Sequence, residues 1–175
     1  MAETLLLVED DVDFSRTLKR SLERRGYRVL TAHSLQEVET VLAGEQPSRA
    51  VVDLKLGNDS GLACVARLRE RDPAMLIVVL TGYASIATAV EAIKLGASHY
   101  LAKPSNTDDI IEAFNRVGGN VDTPVSEQTT SIKTLEWEHI HKVLAETDFN
   151  ISEAARRLGM HRRTLARKLD KKYIR

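Results

Sequence analysis

The first two thirds of the chain alternate between two patterns of apolar residues. Five short runs rich in Leu, Val and Ile have the length and composition of strands, and they lie at residues 4–8, 27–31, 50–53, 76–81 and 99–102. Apolar residues recur at helical spacing between and after these runs. Strands that alternate with helices in this way are typical of a parallel sheet with helices on both faces. The pattern therefore predicts an α/β domain built on a five-stranded parallel sheet.

Each predicted helix carries apolar residues three or four positions apart, which places them on one face. These faces comprise Phe14, Leu18, Leu22, then Leu35, Val38, Val41, Leu42, then Leu62, Val65, Leu68, then Ile86, Val90, Ile93, and last Ile110, Ile111, Phe114, Val117. We expect these faces to cover the sheet. The unbroken aliphatic run at residues 76–80 predicts that the fourth strand is a fully buried central strand.

The alternating pattern ends near Val117, and a polar segment separates it from a second helical block. Residues 118–133 read GGNVDTPVSEQTTSIK and contain no sustained apolar period, which predicts a semi-flexible linker. The predicted organisation is a first domain at residues 1–117, the linker at 118–133, and a small all-α domain at residues 134–175.

The second block predicts three short helices. Apolar stripes mark them in order: Trp137, Ile140, Leu144, then Ile151, Ala154, Ala155, Leu158, then Leu165, Leu169. Asn150 stands three residues before Glu153, the spacing of a capping box at a helix start. Gly159 is placed to end the second helix in a left-handed turn. About forty residues form only a marginal core, so we expect this unit to lean on a partner copy.

Composition adds a charge asymmetry to this picture. The full chain has 25 basic and 25 acidic residues. Residues 134–175, however, hold 10 Lys/Arg and 6 Asp/Glu, a balance of +4, which leaves −4 for the rest of the chain. A basic end suggests binding to a polyanion, although a solvated helix face is the simpler explanation from charge alone.

Composition also excludes several classes. Cys64 is the only cysteine, so the chain has no internal disulfide and no cysteine-rich metal site. Its predicted place beside Leu62 and Val65 favours a buried structural thiol over a redox sensor. No segment approaches the roughly 18 apolar residues of a membrane helix. The first apolar run is short and meets acidic residues at once, so we expect no secretory signal and a cytoplasmic protein.

The residues with the most chemistry stand at the ends of the predicted strands. They are Glu9, Asp10 and Asp11 after the first strand, Asp53 at the third, Thr81 at the fourth and Lys103 after the fifth. Ligands of an open parallel sheet collect at this edge, so these side chains should converge. Clustered carboxylates repel unless a cation joins them, and oxygen ligands of this kind suit Mg²⁺.

The same set can accept a phosphoryl group. Asp53 would act as the nucleophile, while Lys103 and the metal offset charge and the Thr81 hydroxyl donates to a phosphoryl oxygen. Each residue alone has a simpler explanation as a helix cap, a turn former or a loop residue. The joint arrangement at four strand ends is what favours the phosphoryl-transfer hypothesis.

Four stretches, LLLVEDD, VVDLKL, VVLTGYAS and HYLAKP, resemble the receiver domain of two-component response regulators. The resemblance implies a flavodoxin-like fold, phosphorylation of Asp53 by a sensor histidine kinase, and Mg²⁺ as cofactor. It implies the following site residues: Glu9, Asp10, Asp53 and the backbone carbonyl of Lys55 around the metal, Thr81 and Lys103 at the phosphoryl group, and Tyr100 as an aromatic switch. It also implies a cis Lys103–Pro104 bond. One departure is the loop LKLGNDSG, which lacks the proline that many receivers carry there.

The segment NISEAARRLGMHRRTLARKL resembles the Fis-type helix-turn-helix. Small Ala154 and Ala155 allow close helix crossing, and a basic third helix would enter the major groove of double-stranded DNA. The resemblance implies DNA contacts from His161, Arg162, Arg163, Thr164, Arg167 and Lys168. No GxxxxGK motif is present, which excludes an ATP-driven activator. The short arrangement of receiver, linker and Fis-type end is similar to the RegA/PrrA/ActR/RoxR group of redox-response regulators.

We therefore predict a transcription regulator, not an enzyme, that binds promoter DNA after phosphorylation and forms a homodimer either on DNA or on phosphorylation. The main alternative is an architectural or repressor DNA-binding protein whose binding is insensitive to phosphorylation; the intact acidic set argues against it. A phosphatase that uses Asp53 as nucleophile is a second alternative. Such an enzyme needs a second acid two residues later, and that position is Lys55.

Overall fold

A computed structural model describes residues 2–116 and 132–170. Its elements are, in order, β1 (Thr4–Val8), α1 (Val12–Glu23), β2 (Arg28–Ala32), α2 (Leu35–Gly44), β3 (Arg49–Val52), β4 (Lys55–Leu56), β5 (Asp59–Ser60), α3 (Gly61–Arg71), β6 (Leu76–Thr81), α4 (Ile86–Lys94), β7 (His99–Ala102), α5 (Thr107–Asn115), α6 (Ile132–Glu146), α7 (Ile151–Arg157) and α8 (Arg162–Asp170). Val117, residues 118–131 of the predicted linker and residues 171–175 lie outside the described residues. Helix α6 begins at Ile132, before the predicted domain start at residue 134.

The sheet is parallel and five-stranded, with the order β2-β1-β3-β6-β7. Strands β1, β6 and β7 have the predicted bounds, whereas β2 and β3 are shifted by one residue. The aliphatic run in β6 is buried from Ile77 to Leu80, and Leu76 is half-buried. The centre of the sheet is β3, however, and β6 lies next to it. The α/β, flavodoxin-like prediction is confirmed.

Two apolar clusters cover the two faces of the sheet. Helices α1 and α5 pack on one face through residues that include Leu22 and Phe114. Helices α2, α3 and α4 pack on the other through residues that include Val38 and Val65. This division places the carboxyl ends of β1, β3 and β6 at one open edge between the two layers.

Helix α4 departs from the sequence expectation. Ile86, Val90 and Ile93 were expected to face the sheet, yet they are 73%, 46% and 49% exposed. The buried side of α4 carries Thr88 and Ala92 instead. The helix packs through small residues, and a pattern of large apolar residues therefore marks its outer face.

The second unit has the three helices that the sequence predicts. Asn150 caps α7, because its side chain accepts hydrogen bonds from the backbone N–H groups of Ser152 and Glu153. Gly159 has φ +66, the left-handed conformation expected at the end of α7. The buried core of the unit comprises Ile140, Val143, Leu144, Phe149, Ala154, Ala155, Leu165 and Leu169. None of the helices in the described ranges is long and apolar enough to span a membrane.

The second unit packs against the first one. Helix α6 lies on α4, and the core of the helical unit is continuous with the apolar cluster on the α2–α3–α4 side of the sheet. His141 of α6 is 0% exposed, although it is a polar residue on a surface helix. The helical unit therefore obtains its additional burial from the sheet domain of the same chain.

Candidate functional site

Three carboxylates meet at the carboxyl edge of the sheet. Glu9 and Asp10 follow β1, and Asp53 follows β3, the strand paired with β1. One carboxylate oxygen from each of the three lies within 4.8 Å of the others. Glu9 and Asp53 are buried, whereas Asp10 is exposed, so the cluster opens to solvent on one side.

The third acid after β1, Asp11, caps a helix and does not join the cluster. Asp11 is the N-cap of α1, and its side chain accepts hydrogen bonds from the backbone N–H groups of Asp13 and Phe14. These bonds satisfy two amides at a helix start that have no partner within the helix. Among the acids that follow β1, only Glu9 and Asp10 therefore join the cluster with Asp53.

Lys103 ties the buried pair of carboxylates together. Its Nζ donates to Glu9 Oε2 at 2.7 Å and to Asp53 Oδ2 at 2.8 Å. The same Nζ lies 4.3 Å from the centre of the Phe14 ring. Burial alone lowers the pKa of Lys103, but the charges of Asp53 and Glu9 outweigh it and raise the pKa well above its ordinary value. Lys103 is therefore charged throughout the physiological pH range.

The pKa of Glu9 is raised because this carboxylate is buried next to another negative charge. Burial is the largest cause that raises its pKa, the negative charge of Asp53 adds to it, and Lys103 only partly offsets both, so that the pKa lies at about 7. A divalent cation at the open side would offset the repulsion that remains. The donor set is all oxygen, with one exposed carboxylate in Asp10, and it fits a hard cation such as Mg²⁺.

The raised pKa of Glu9 predicts how stability depends on pH in metal-free protein. Its folded pKa of about 7 is above the ordinary value of 4.5, so the folded state binds more protons than the unfolded chain between these values. The stability that Glu9 contributes is therefore present at low pH and lost as pH rises through 7. Urea unfolding in the presence of a chelator measures this effect. Between pH 5 and pH 8, the free energy of unfolding of the wild type should fall by about 1–3 kcal/mol relative to that of Glu9→Gln.

The matched control for this measurement is Glu70→Gln, since Glu70 is an exposed acid on α3. The free energy of unfolding of Glu70→Gln should depend on pH in the same way as that of the wild type. If Glu9→Gln also follows the wild type at every pH, then Glu9 does not carry the proton that the buried cluster takes up.

The segment after Asp53 forms a small hairpin that the sequence did not predict. Strands β4 and β5 pair antiparallel, and Gly57 in the turn between them has φ +61, which favours glycine. The backbone N–H of Gly57 donates to Asp10 Oδ2 at 2.9 Å, and the N–H of Lys55 lies 3.3 Å from Asp53 Oδ1. The hairpin fixes the loop that lacks the proline, and it connects the loop directly to the acidic cluster.

Thr81 and Tyr100 lie on the neighbouring strands β6 and β7. Thr81 is 0% exposed, and its Oγ1 accepts a hydrogen bond from the backbone N–H of Tyr83 at 3.1 Å. Tyr100 is half-buried, and its hydroxyl lies 2.6 Å from Thr88 Oγ1 at the start of α4. Thr81 is thus linked to the segment between β6 and α4, and Tyr100 to the first turn of α4. The Lys103–Pro104 peptide bond is cis, as the resemblance implied.

The basic residues at the C-terminal end lie on the third helix of the helical unit. His161 precedes α8, and its carbonyl accepts from the backbone N–H groups of Thr164 and Leu165. The side chains expected to contact DNA remain largely accessible: His161, Arg162, Arg163 and Arg167 are exposed, and Thr164 and Lys168 are half-buried. Lys168 Nζ is 2.6 Å from Glu136 of α6. Helix α8 therefore offers a basic surface to solvent.

Sequence reasoning missed two residues that join the two units. Tyr83 is 7% exposed and packs against the rings of His141 and Phe149, with centroid distances of 6.0 Å and 5.8 Å. Nothing in the periodicity marks His141. The only available signal for Tyr83 was its place two residues after Thr81. A contact between distant segments leaves no local pattern in either of them.

Comparison with known families assigns the two units separately. Residues 5–115 match the model of the response regulator receiver domain. Residues 131–171 match the model of the bacterial regulatory proteins of the Fis family. The first match covers the sheet and the acidic cluster, and the second covers α6, α7 and α8.

Individual relatives are similar over nearly the whole chain. The photosynthetic apparatus regulatory protein RegA of Cereibacter sphaeroides is 45% identical over 169 residues, which cover 97% of this chain and 91% of the relative. The acid tolerance regulatory protein ActR of Sinorhizobium medicae is 46% identical over 171 residues, 97% of this chain and 87% of the relative. A crystal structure of a Burkholderia pseudomallei response regulator with a phosphorylated aspartic acid, calcium ion and citrate is 46% identical, with a TM-score of 0.64 over 94% of this chain and 97% of that one.

Proposed function

The chain belongs to the response regulators in which a receiver domain is joined to a Fis-type helix-turn-helix, and we propose that phosphorylation of Asp53 controls its binding to promoter DNA. The chain's role in transcription regulation follows from its family. The identities of the phosphoacceptor, the partner kinase and the DNA-contacting residues are what we propose. The observation that carries it is the convergence of Glu9, Asp10 and Asp53 with Lys103 at one edge of the sheet.

Asp53 is the acceptor that the contacts favour. Its two carboxylate oxygens face different donors, Lys55 N–H and Lys103 Nζ, and one of them lies within 4.8 Å of an oxygen of each of the two other acids. A sensor histidine kinase would supply the phosphoryl group: the P–N bond to the kinase histidine breaks, and a P–O bond to Asp53 forms. Lys103 holds one carboxylate oxygen and neutralises part of the added charge.

The metal site would be shared among the cluster. Asp10, Asp53 and the backbone carbonyl of Lys55 would hold Mg²⁺ directly, and Glu9 would hold it through water. Bound there, Mg²⁺ offsets the negative charge of the transferring phosphoryl group. The position of Lys55 also argues against a true phosphatase, since no acid stands there. We propose that slow loss of the phosphoryl group only resets the switch.

Thr81 and Tyr100 would read the phosphorylated state. The phosphoryl group carries a charge of about −1.5 to −2 and accepts hydrogen bonds strongly. The Thr81 hydroxyl would donate to it, and Tyr100 would move with Thr81. Their contacts with Tyr83 and Thr88 connect this movement to the segment before α4 and to the first turn of α4.

Helix α8 would enter the major groove of DNA. We propose that His161, Arg162, Arg163, Thr164, Arg167 and Lys168 provide the contacts, with Arg suited to guanine and Lys and Thr suited to phosphates. A homodimer would place two such helices on half-sites about 34 Å apart. The exposed stripe of Ile86, Val90 and Ile93 on α4 offers an apolar surface to a second copy.

We also propose the domain boundaries of the chain: a receiver domain at residues 1–117, a linker at residues 118–133 and a DNA-binding domain at residues 134–175.

The experiment that tests this function is a titration of promoter DNA, obtained by genomic capture, with and without acetyl phosphate and Mg²⁺. Phosphorylation should tighten binding by about 5- to 150-fold, the usual range for coupled sites. Equal affinity in both conditions, together with full phosphorylation measured by intact mass, would establish the alternative of phosphorylation-insensitive binding. The names of the relatives refer to different processes, photosynthesis and acid tolerance. A redox role for this chain is therefore a narrower hypothesis that the captured promoters would test.

A further inference from the structure

Tyr83 contacts the DNA-binding domain through both its backbone and its ring. Its backbone carbonyl oxygen lies 2.6 Å from His141 Nδ1 of α6, and because a carbonyl only accepts, Nδ1 is the donor. The Tyr83 ring meets the Phe149 ring edge-on at 5.8 Å. Tyr83 and Phe149 are 7% and 4% exposed, and His141 is 0% exposed. The contact is therefore buried, and it includes the hydrogen bond from His141 to the Tyr83 carbonyl.

The same residue is connected to both residues that would read the phosphoryl group. The Tyr83 N–H donates to Thr81 Oγ1 at 3.1 Å. The Thr88 hydroxyl lies 3.4 Å from the Tyr83 carbonyl oxygen and 2.6 Å from the Tyr100 hydroxyl. The Thr81 hydroxyl that would turn to a phosphoryl group is therefore the one that now holds the Tyr83 backbone.

The docked arrangement also places the start of the recognition helix beside the acidic edge. A cavity of about 360 Å³ between the domains is lined by Lys55, Gly57 and Asn58 on one side and by Phe149, Ile151 and Arg162 among others on the other. Gly57 is bonded to Asp10 in the acidic cluster. In a helix-turn-helix, the first residues of the recognition helix contact base edges. DNA bound through Arg162 would therefore lie beside the hairpin that carries Gly57, and Lys55 is the one cation among the described residues on that side of the cavity. The hairpin itself would crowd the DNA, and Asp10 behind it would repel the DNA phosphates.

From these contacts we infer that the Tyr83–His141–Phe149 contact is a latch that holds the DNA-binding domain in a state of low DNA affinity. The inference rests on the proposed phosphorylation of Asp53 and adds the route by which it acts. When the Thr81 hydroxyl turns to the phosphoryl group, it releases the Tyr83 N–H. The Tyr83 carbonyl then withdraws from His141, and the domain undocks. The latch couples Asp53 to the DNA-binding surface, because phosphorylation and DNA binding both favour the undocked position of the DNA-binding domain.

His141→Leu tests the latch from the side of the DNA-binding domain, where it leaves the phosphorylation site intact. Without phosphorylation, this variant should bind promoter DNA about tenfold more tightly than the wild type, within the usual range of coupling. With acetyl phosphate, both proteins should reach the same affinity. His141→Asn keeps a donor near the Nδ1 position and should retain the low affinity. His139→Leu is the matched control, since His139 is exposed on the same helix, and it should behave as the wild type.

Trp137 gives a second readout that needs no variant. It is the only tryptophan in the chain, and its ring lies 4.5 Å from the His141 ring. Quenching of its fluorescence by acrylamide should increase when the wild type is phosphorylated and stay constant in Asp53→Asn. This measurement applies even if His141→Leu does not fold.

The outcomes separate the latch from the proposed function. If phosphorylation of the wild type does not change DNA affinity, the proposed function fails and the latch fails with it. If phosphorylation stimulates His141→Leu by the same factor as the wild type, or leaves Trp137 quenching unchanged, the latch alone is overturned. Higher basal affinity of His141→Leu, with no further gain on phosphorylation, supports it.

Discussion

Asp53→Asn should abolish phosphorylation and hold DNA affinity at the unphosphorylated level, whether or not acetyl phosphate is present. The amide is nearly the same size and can still accept from the Lys55 N–H, so the fold of the edge is retained. It is neutral, however, and lacks the anionic oxygen that attacks phosphorus. Expected phosphorylation is therefore nil, and the stimulation of about 5- to 150-fold expected for the wild type is lost.

Two measurements check this result: intact mass after treatment with acetyl phosphate and Mg²⁺, and a gel-shift titration of the same samples. Asp13→Asn is the matched control, because the Asp13 side chain is 89% exposed and lies near the same edge of the sheet. That variant should gain one phosphoryl group and bind DNA as the wild type does. A phosphoryl group on Asp53→Asn, or DNA binding that acetyl phosphate still stimulates, would mean that another residue is the acceptor.

The arrangement of the acidic edge was accessible from the sequence because it follows from topology. Once five parallel strands are identified, their carboxyl ends must lie along one edge of the sheet, and the contact of Lys103 with Asp53 lies at that edge. The cap role of Asp11 was less accessible, since Asp10 and Asp11 are both acids after the same strand. Only the backbone conformation at the start of α1 separates the cap from the cluster.

The features that the sequence did not predict depend on packing between distant segments. Periodicity identifies the large apolar face of α4, but it does not reveal that the helix meets the sheet through Thr88 and Ala92. The contact of Tyr83 with His141 joins residues 58 positions apart along the chain. Neither residue belongs to a local pattern that requires the other, so only the folded chain brings them together. The domain latch is for this reason a structural inference, whereas the phosphoacceptor was already a sequence hypothesis.

Gly61→Ala should damage both stability and phosphorylation, although it adds only one methyl group. A Cβ at this position would lie 2.1 Å from the carbonyl oxygen of Asp53 and 2.5 Å from the Cα of Leu54. Both atoms belong to the backbone, so neither can rotate away, and the start of α3 must separate from the end of β3. The Gly61 N–H, which donates to the Leu54 carbonyl at 2.7 Å, would move with it. Overpacking of this kind destabilises by about 1–3 kcal/mol.

The same shift would displace Asp53 from its partners. A misplacement near 1 Å lowers the rate of an oriented reaction by about 10²-fold, so phosphorylation by acetyl phosphate should slow markedly. Gly44→Ala is the matched control, since a Cβ in that position of α2 meets nothing within 4 Å. It should keep the wild-type phosphorylation rate and gain about 0.5–1 kcal/mol in urea unfolding, because alanine favours a helix over glycine. If Gly61→Ala unfolds at the same urea concentration and is phosphorylated at the same rate as the wild type, the close approach of α3 to the end of β3 does not constrain the site. If Gly61→Ala unfolds at a lower urea concentration but is phosphorylated at the wild-type rate, the contact stabilises the fold without positioning Asp53.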